Sequence, residues 1–260
     1  MSTPPRLIAF DLDDTLAASK SPIDASMAQR LSSLLELVPV CIISGGQFGQ
    51  FSAQVVDRLT EATPGALERL HLMPTCGTQY YRFTDGAWTR VYAQDLADDE
   101  KTRALAAVEA EARRLGYWET ETWGPILEDR GSQITFSALG QSAPVSAKAA
   151  WDPSGEKKNA LRGAVQELLP DLEVRSGGST SVDITRRGID KAYGMGRLSE
   201  LTGIRLAEML FIGDRLDPEG NDYPVLALGV PTRAVTGWQH TIEVLDELLP
   251  TLTATAAEPS

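Results

Sequence analysis

Leu7-Ile-Ala-Phe-Asp-Leu-Asp-Asp-Thr-Leu16 is a short apolar run that ends in three carboxylates and a threonine. Strands of a parallel sheet are covered on both faces and read as continuous apolar segments, and ligands gather where their carboxyl ends emerge. The stretch therefore predicts a buried strand that delivers Asp11 to a reactive edge. Asp13 lies two residues on, and residues two apart in an extended segment point the same way. One carboxylate can attack while the other handles protons.

The rest of the chain repeats this design. Ser26 to Leu37 carries apolar residues at helical spacing, and Val38-Pro-Val-Cys-Ile-Ile43 predicts a second buried strand, completing a β-α-β unit. That strand runs into Ser44-Gly45-Gly46-Gln47, where a hydroxyl and exposed amides can cradle a phosphate oxygen at a helix entry. A third such strand, Met209-Leu-Phe-Ile-Gly213, ends in Asp214-Arg-Leu-Asp-Pro-Glu-Gly-Asn-Asp222. So many carboxylates in one loop repel one another unless they bind a cation. Mg2+ suits an all-oxygen set and bridges to phosphate.

The pattern changes in the middle. Gln79 to Tyr92 is aromatic and β-branched around Asp85-Gly86, a hairpin signal. Ala97 to Leu115 and Glu156 to Leu169 read as amphipathic helices, and Gly131 to Leu139, Leu172 to Ser176 and Thr180 to Thr185 as strands. This α+β segment predicts an insertion at 85–187, a separate domain of antiparallel sheet plus two helices. The parallel α/β core takes 1–84 and 188–260. Val235 to Leu249 is expected to close the core as a strand end and helix, with Thr251 to Ser260 as a frayed tail.

Composition bounds the function. The chain has 260 residues and a net charge of −12. That charge repels a phosphodiester backbone and argues against a nucleic-acid partner. Two cysteines and two histidines supply neither a disulfide framework nor a histidine-rich metal site. No run approaches the ~20 apolar residues that cross a bilayer, and Met-Ser-Thr-Pro-Pro-Arg is not a signal segment. A cytoplasmic protein without membrane attachment is the expectation.

Asp11-x-Asp13-x-Thr15 resembles motif one of the haloacid dehalogenase superfamily of aspartate-nucleophile phosphotransferases. Ser44-Gly45 resembles its motif two, Lys191 in Gly188-Ile-Asp-Lys its motif three, and Gly213-Asp214 with Gly220-Asn-Asp222 its motif four. They occur in the family's order. The fold implied is a Rossmann-like core with a type IIB cap, here residues 85–187.

The resemblance also implies roles. Asp11 is the nucleophile, Asp13 the acid and base, and Lys191 offsets charge. Thr15, Ser44 and Gly45 hold phosphoryl oxygens. Asp11 and Asp214, with the Asp13 backbone carbonyl, bind Mg2+, and Asn221 and Asp222 complete or orient its shell. Asp129-Arg130-Gly131 through Gly140 and Gly177-Gly-Ser-Thr-Ser-Val-Asp183 look like cap segments of eukaryotic-type phosphomannomutases. On that likeness Arg130 grips a distal phosphate, Ser181 and Asp183 meet sugar hydroxyls or that phosphate, and the caps form a homodimer.

Two departures bear on the reaction. The mutases carry arginine where Ser137-Ala-Leu-Gly140 is followed by Gln141, and another where this chain has Trp123. A mutase must hold a bisphosphate while it turns end over end, so fewer arginines favour a phosphatase. Lys148, Arg175, Arg186 and Arg187 are the cations that could compensate. The substrate expected is a small phosphorylated metabolite, a sugar phosphate. Phosphomannomutase-type isomerisation is the alternative. A non-catalytic sugar-phosphate sensor would lack Asp11 or Asp13, and both are present.

Overall fold

The computed structural model describes residues 4–177 and 180–256. It divides into two compact units, one formed by residues 4–92 and 190–256 and the other by the described residues of 93–189.

The first unit is built on β1 (Leu7–Phe10), whose four residues are completely buried. The chain continues through α1 (Ala25–Leu37), β2 (Val40–Ile43), α2 (Phe48–Gln54), α3 (Pro64–Leu67), β3 (Leu70–Met73), β4 (Gln79–Thr84) and β5 (Ala87–Ala93). β1 lies between β2 and β10 (Met209–Gly213) in a seven-stranded sheet that β11 (Thr232–Ala234) closes at one edge, in the order β11-β10-β1-β2-β3-β4-β5. The pairs β1/β10, β1/β2, β2/β3 and β10/β11 are parallel, and β3/β4 is antiparallel.

Period-two alternation splits each central strand between two cores. Ile8, Phe10, Val40 and Ile42 pack with Met27, Leu31 and Leu34 of α1 on one face. Leu7, Ala9, Cys41 and Ile43 join Met195 and Leu198 on the other. A sheet covered on both sides needs such strands, and each fully buried aliphatic contributes about 1.5–3 kcal/mol.

The second unit contains α4 (Asp98–Arg114), β6 (Leu127–Asp129), β7 (Gln133–Ser137), α5 (Val145–Trp151), α6 (Glu156–Leu168), β8 (Leu172–Ser176) and β9 (Ser181–Arg186). Its four strands form an antiparallel sheet in the order β6-β7-β9-β8. Ile134, Phe136, Val182 and Ile184 pack with Ala104 and Val108 of α4 and Leu161 and Val165 of α6. Thr135, Ser137, Ser181, Asp183 and Thr185 alternate onto the opposite face.

The first unit then resumes with α7 (Lys191–Thr202), β10 (Met209–Gly213), α8 (Tyr223–Ala227), β11 (Thr232–Ala234) and α9 (Trp238–Ala256). Among the described residues no helix is long and apolar enough to cross a membrane.

Three sequence expectations need correction. The hairpin around Asp85 belongs to the first unit, because β4 pairs with β3 and carries β5 onto the edge of that sheet. The boundary therefore falls after Tyr92, beyond residue 84. The second unit also has a short third helix, α5, and an extra strand, β6. Finally, α9 runs through Pro250 to Ala256. Residues 257–260 of the expected tail, and Gly178 and Ser179 of the cap segment, lie outside the described residues.

Candidate active site

The sheet order brings three of the sequence motifs to neighbouring strand ends. β10, β1 and β2 are adjacent and parallel, so Asp214, Asp11 and Ser44 follow their carboxyl ends side by side. The Asp11 amide donates to the Ile212 carbonyl at 3.0 Å, extending the ladder to Asp11 itself.

Beyond Asp11 the chain turns sharply. The Leu12 carbonyl accepts from the Leu16 amide at 3.0 Å, and Asp14 adopts a positive φ of 62°. The turn folds Thr15 back, and its Oγ1 donates to Asp214 Oδ1 at 3.1 Å. Thr15 is fully buried.

Lys191 enters as the first residue of α7, whose N-cap Asp190 accepts from the Tyr193 amide at 2.9 Å. One turn on, Gly194 lies so close to Ile43 and to the Cys76 carbonyl that a Cβ would overlap both. This close approach seats the start of α7 against the sheet.

The Lys191 ammonium lies 2.5 Å from Asp11 Oδ1 and 2.5 Å from Asp222 Oδ1. Asp222 is fully buried, and its Oδ2 accepts from the Arg215 amide at 3.0 Å. Asp11, Asp214 and Asp222 each offer an oxygen within 4.8 Å of the others.

Three carboxylates surround one ammonium, and the balance shows in their titration. Burial pushes Asp11 up, Lys191 draws it down, and Asp222 and Asp214 push it up again, leaving it at about 8. Burial and the Asp222 charge also raise Asp214. Burial works against the charge of Lys191, but Asp11 and Asp222 more than offset it and hold the ammonium above its ordinary range. A divalent cation fits this all-oxygen donor set and would relieve the excess negative charge.

Asp13 stands apart from that cluster. Its Oδ1 accepts from the Lys20 amide at 2.8 Å and from Gln54 Nε2 at 3.2 Å, and its Oδ2 from Gln50 Nε2 at 3.0 Å. Its carboxylate is thus oriented by donors and not by the other acids. Gln50 and Gln54 escaped the sequence reading. Their signal was an i, i+4 pair of amides on the helix that follows Ser44-Gly45.

Ser44 is buried, and its Oγ accepts from the Gly46 amide at 3.3 Å. Gly45 is half-buried, and Asn221 is exposed beside Asp222.

In the second unit, Thr135 Oγ1 donates to Asp183 Oδ1 at 2.7 Å, and Ser137 Oγ meets Ser181 Oγ at 3.0 Å. Gln141 Nε2 donates to Ser137 Oγ at 2.6 Å. Arg130 is paired with Glu128 at 2.7 Å. The other cations of this unit singled out from sequence are also engaged. Arg175 pairs with Glu173 at 2.8 Å and Arg186 with Glu100 at 2.8 Å. Arg187 donates to the Pro170 carbonyl at 2.6 Å, and Lys148 to the Gln141 carbonyl at 2.9 Å.

A family model described as haloacid dehalogenase-like hydrolase matches residues 144–228, a span that includes Lys191, Asp214 and Asp222. Phosphomannomutase from Spinacia oleracea is 24% identical over 243 residues, covering 87% of this chain and 89% of that protein. The Saccharomyces cerevisiae phosphomannomutase is 23% identical over 263 residues, covering 94% of each. Among solved structures, Plasmodium falciparum IMP-nucleotidase superposes with a TM-score of 0.70 at 15% identity, over 96% of this chain and 67% of that one. A trehalose-6-phosphate phosphatase related protein gives 0.58 at 14% identity, over 96% and 99%. These structural likenesses speak to the fold.

Proposed function

We propose that the chain is a phosphotransferase of the haloacid dehalogenase type, similar to the phosphomannomutases, and that it transfers the phosphoryl group of a small sugar phosphate through Asp11. The observation that carries this reading is the Lys191 ammonium lodged between Asp11 and Asp222, with Asp214 in the same cluster.

Asp11 attacks phosphorus and forms an aspartyl phosphate, splitting one difficult displacement into two. Lys191 offsets the repulsion between an anionic nucleophile and an anionic phosphoryl group. Asp13, held by Gln50, Gln54 and the Lys20 amide, protonates the leaving alcohol and then deprotonates the acceptor. Thr15, Ser44 and Gly45 position phosphoryl oxygens. Mg2+, held by Asp11 and Asp214 with Asp13, Asn221 and Asp222 contributing to or orienting its shell, would supply further charge compensation.

Two acceptors fit this chemistry. The names of the curated relatives support a sugar hydroxyl, and hence isomerisation of a hexose phosphate. Hydrolysis has an observation of its own, because Gln141 stands where the mutase pattern has arginine and Arg130 is already paired with Glu128.

The test is to incubate the protein with Mg2+ and a panel of hexose phosphates, following inorganic phosphate and 1-phosphate/6-phosphate interconversion in parallel. Phosphoryl transfer that disappears in Asp11→Asn is the expected result. Undiminished turnover in that variant refutes the nucleophile assignment.

A further inference from the structure

Between β3 and β4 the backbone runs through three successive left-handed residues, Thr75, Cys76 and Gly77, with φ of 49°, 56° and 86°. It is the longest such run among the described residues. Glycine takes this conformation freely, but a β-branched threonine and a cysteine do not. Such strain persists only where the surroundings over-determine the backbone, and it concentrates at functional sites. Its cause should therefore lie in what the turn holds.

On one side the turn holds the loop that follows β2. The Cys76 amide donates to the Ser44 carbonyl at 2.9 Å, and the Thr75 amide to the Gly46 carbonyl at 3.0 Å. Ser44 and Gly46 flank Gly45, so the two bonds fix the loop on either side of it. Thr75 is itself clamped: it is fully buried, and Thr78 Oγ1 donates to its carbonyl at 2.8 Å and to its Oγ1 at 2.6 Å.

On the other side the turn abuts α7. A Cβ on Gly77 would come within 2.6 Å of the Gly194 Cα, and one on Gly194 within 2.7 Å of the Cys76 carbonyl oxygen. The two backbones thus touch with no side chain between them, one helical turn after Lys191. Tyr92 adds a second tie. Its hydroxyl donates to the Gly77 carbonyl at 2.7 Å, and its ring centre lies 5.5 Å from the Arg197 guanidinium of the same helix. All of these residues belong to the first unit.

We infer that Thr75-Cys76-Gly77 is a positioning turn, whose backbone sets the spacing between the Ser44–Gly46 loop and the Lys191 end of α7. A phosphoryl group held by Ser44, Gly45 and Lys191 must meet all three at once, and a turn relaxed into ordinary backbone would withdraw two amide donors from the loop. What position 76 must supply is the left-handed backbone, and the thiol takes no part. The inference rests on the phosphotransferase reading of Asp11, Ser44 and Lys191.

The experiment measures inorganic phosphate binding to the Mg2+-loaded protein by titration calorimetry, beside the melting temperature and kcat/KM for para-nitrophenyl phosphate. Cys76→Val keeps a small apolar side chain but resists a left-handed backbone, and should weaken phosphate binding and kcat/KM by about tenfold or more. Cys76→Asn, whose side chain tolerates that backbone, should stay within about threefold of wild type. Gly194→Ala pushes α7 against the Cys76 carbonyl and should weaken phosphate binding by about tenfold as well. Gly203→Ala is the matched control at the far end of α7. Its φ is 68° and its Cβ would meet nothing within 4 Å, so it should lower the melting temperature and leave phosphate binding unchanged.

Wild-type phosphate affinity in folded Cys76→Val or Gly194→Ala overturns the inference and leaves Asp11 chemistry standing. So does an equal loss in Cys76→Asn and Cys76→Val, which assigns the effect to the sulfur, or a loss in Gly203→Ala, which reduces it to stability. Absence of both phosphate binding and phosphoryl transfer in the wild type removes the inference and the phosphotransferase reading together.

Discussion

Replacing Lys191 by methionine keeps the length and burial of the side chain and deletes its charge. In the wild type the ammonium touches Asp11 and Asp222 at 2.5 Å each, in a site where it is 1% exposed. Breaking a buried ion pair by removing one partner typically costs about 3–5 kcal/mol, because the partner charge stays buried. At about 2–4 °C per kcal/mol for a chain of this size, the melting temperature should fall by about 6–20 °C. The same loss of charge compensation, felt in the transition state, lowers kcat/KM by about two to four orders of magnitude. Differential scanning calorimetry and phosphate release measure the two effects.

A second variant guards against a trivial packing defect. Asp222→Asn in the Lys191→Met background removes one of the stranded carboxylates, so it should restore at least about 1 kcal/mol of stability without restoring turnover. Melting within a degree or two of wild type in Lys191→Met, or full turnover, would refute the charge argument. So would additive losses in the double variant.

Gly213→Ala should cost about 1–3 kcal/mol and much of the activity, because the added Cβ would overlap Asp222 Oδ2 and approach Phe211 Cε1 to 2.7 Å; calorimetry and turnover check it. Mg2+ at about 100 times its Kd should raise stability by about 2.7 kcal/mol, and Asp214→Asn should abolish that gain; a flat melting curve across a magnesium titration defeats the metal assignment. His71 is buried against Tyr80 at 2.8 Å, and burial followed by the Arg82 charge lowers its pKa from 6.5 to about 3. Its contribution to stability is therefore complete above pH 6.5 and lost as pH falls toward 3. The loss reaches about 2 kcal/mol at pH 5, and urea unfolding of wild type and His71→Gln should show a shallower acid slope in the variant.

Much of the core was legible because its signals are local. Leu7 to Phe10, Val40 to Ile43 and Met209 to Gly213 are apolar runs capped by polar residues, and a strand buried on both faces has to look like that. The hairpin at Asp85-Gly86 was equally visible as a hairpin. Its allegiance was not, because which sheet a strand joins depends on a partner, β3, that no local pattern names. The same limit hid Gln50 and Gln54, whose amides matter only once the turn after Asp11 brings Asp13 to them.

From its residues alone, then, the protein determines its strands and the order of its four motifs, since backbone preference and burial pattern act over a few residues. Charge compensation is another matter, being set by distances across the fold. Only the tertiary structure placed Lys191 between Asp11 and Asp222 and bound Arg186 to Glu100. Each separation in sequence is large, and the energy depends on a few ångströms of approach in a medium that screens poorly.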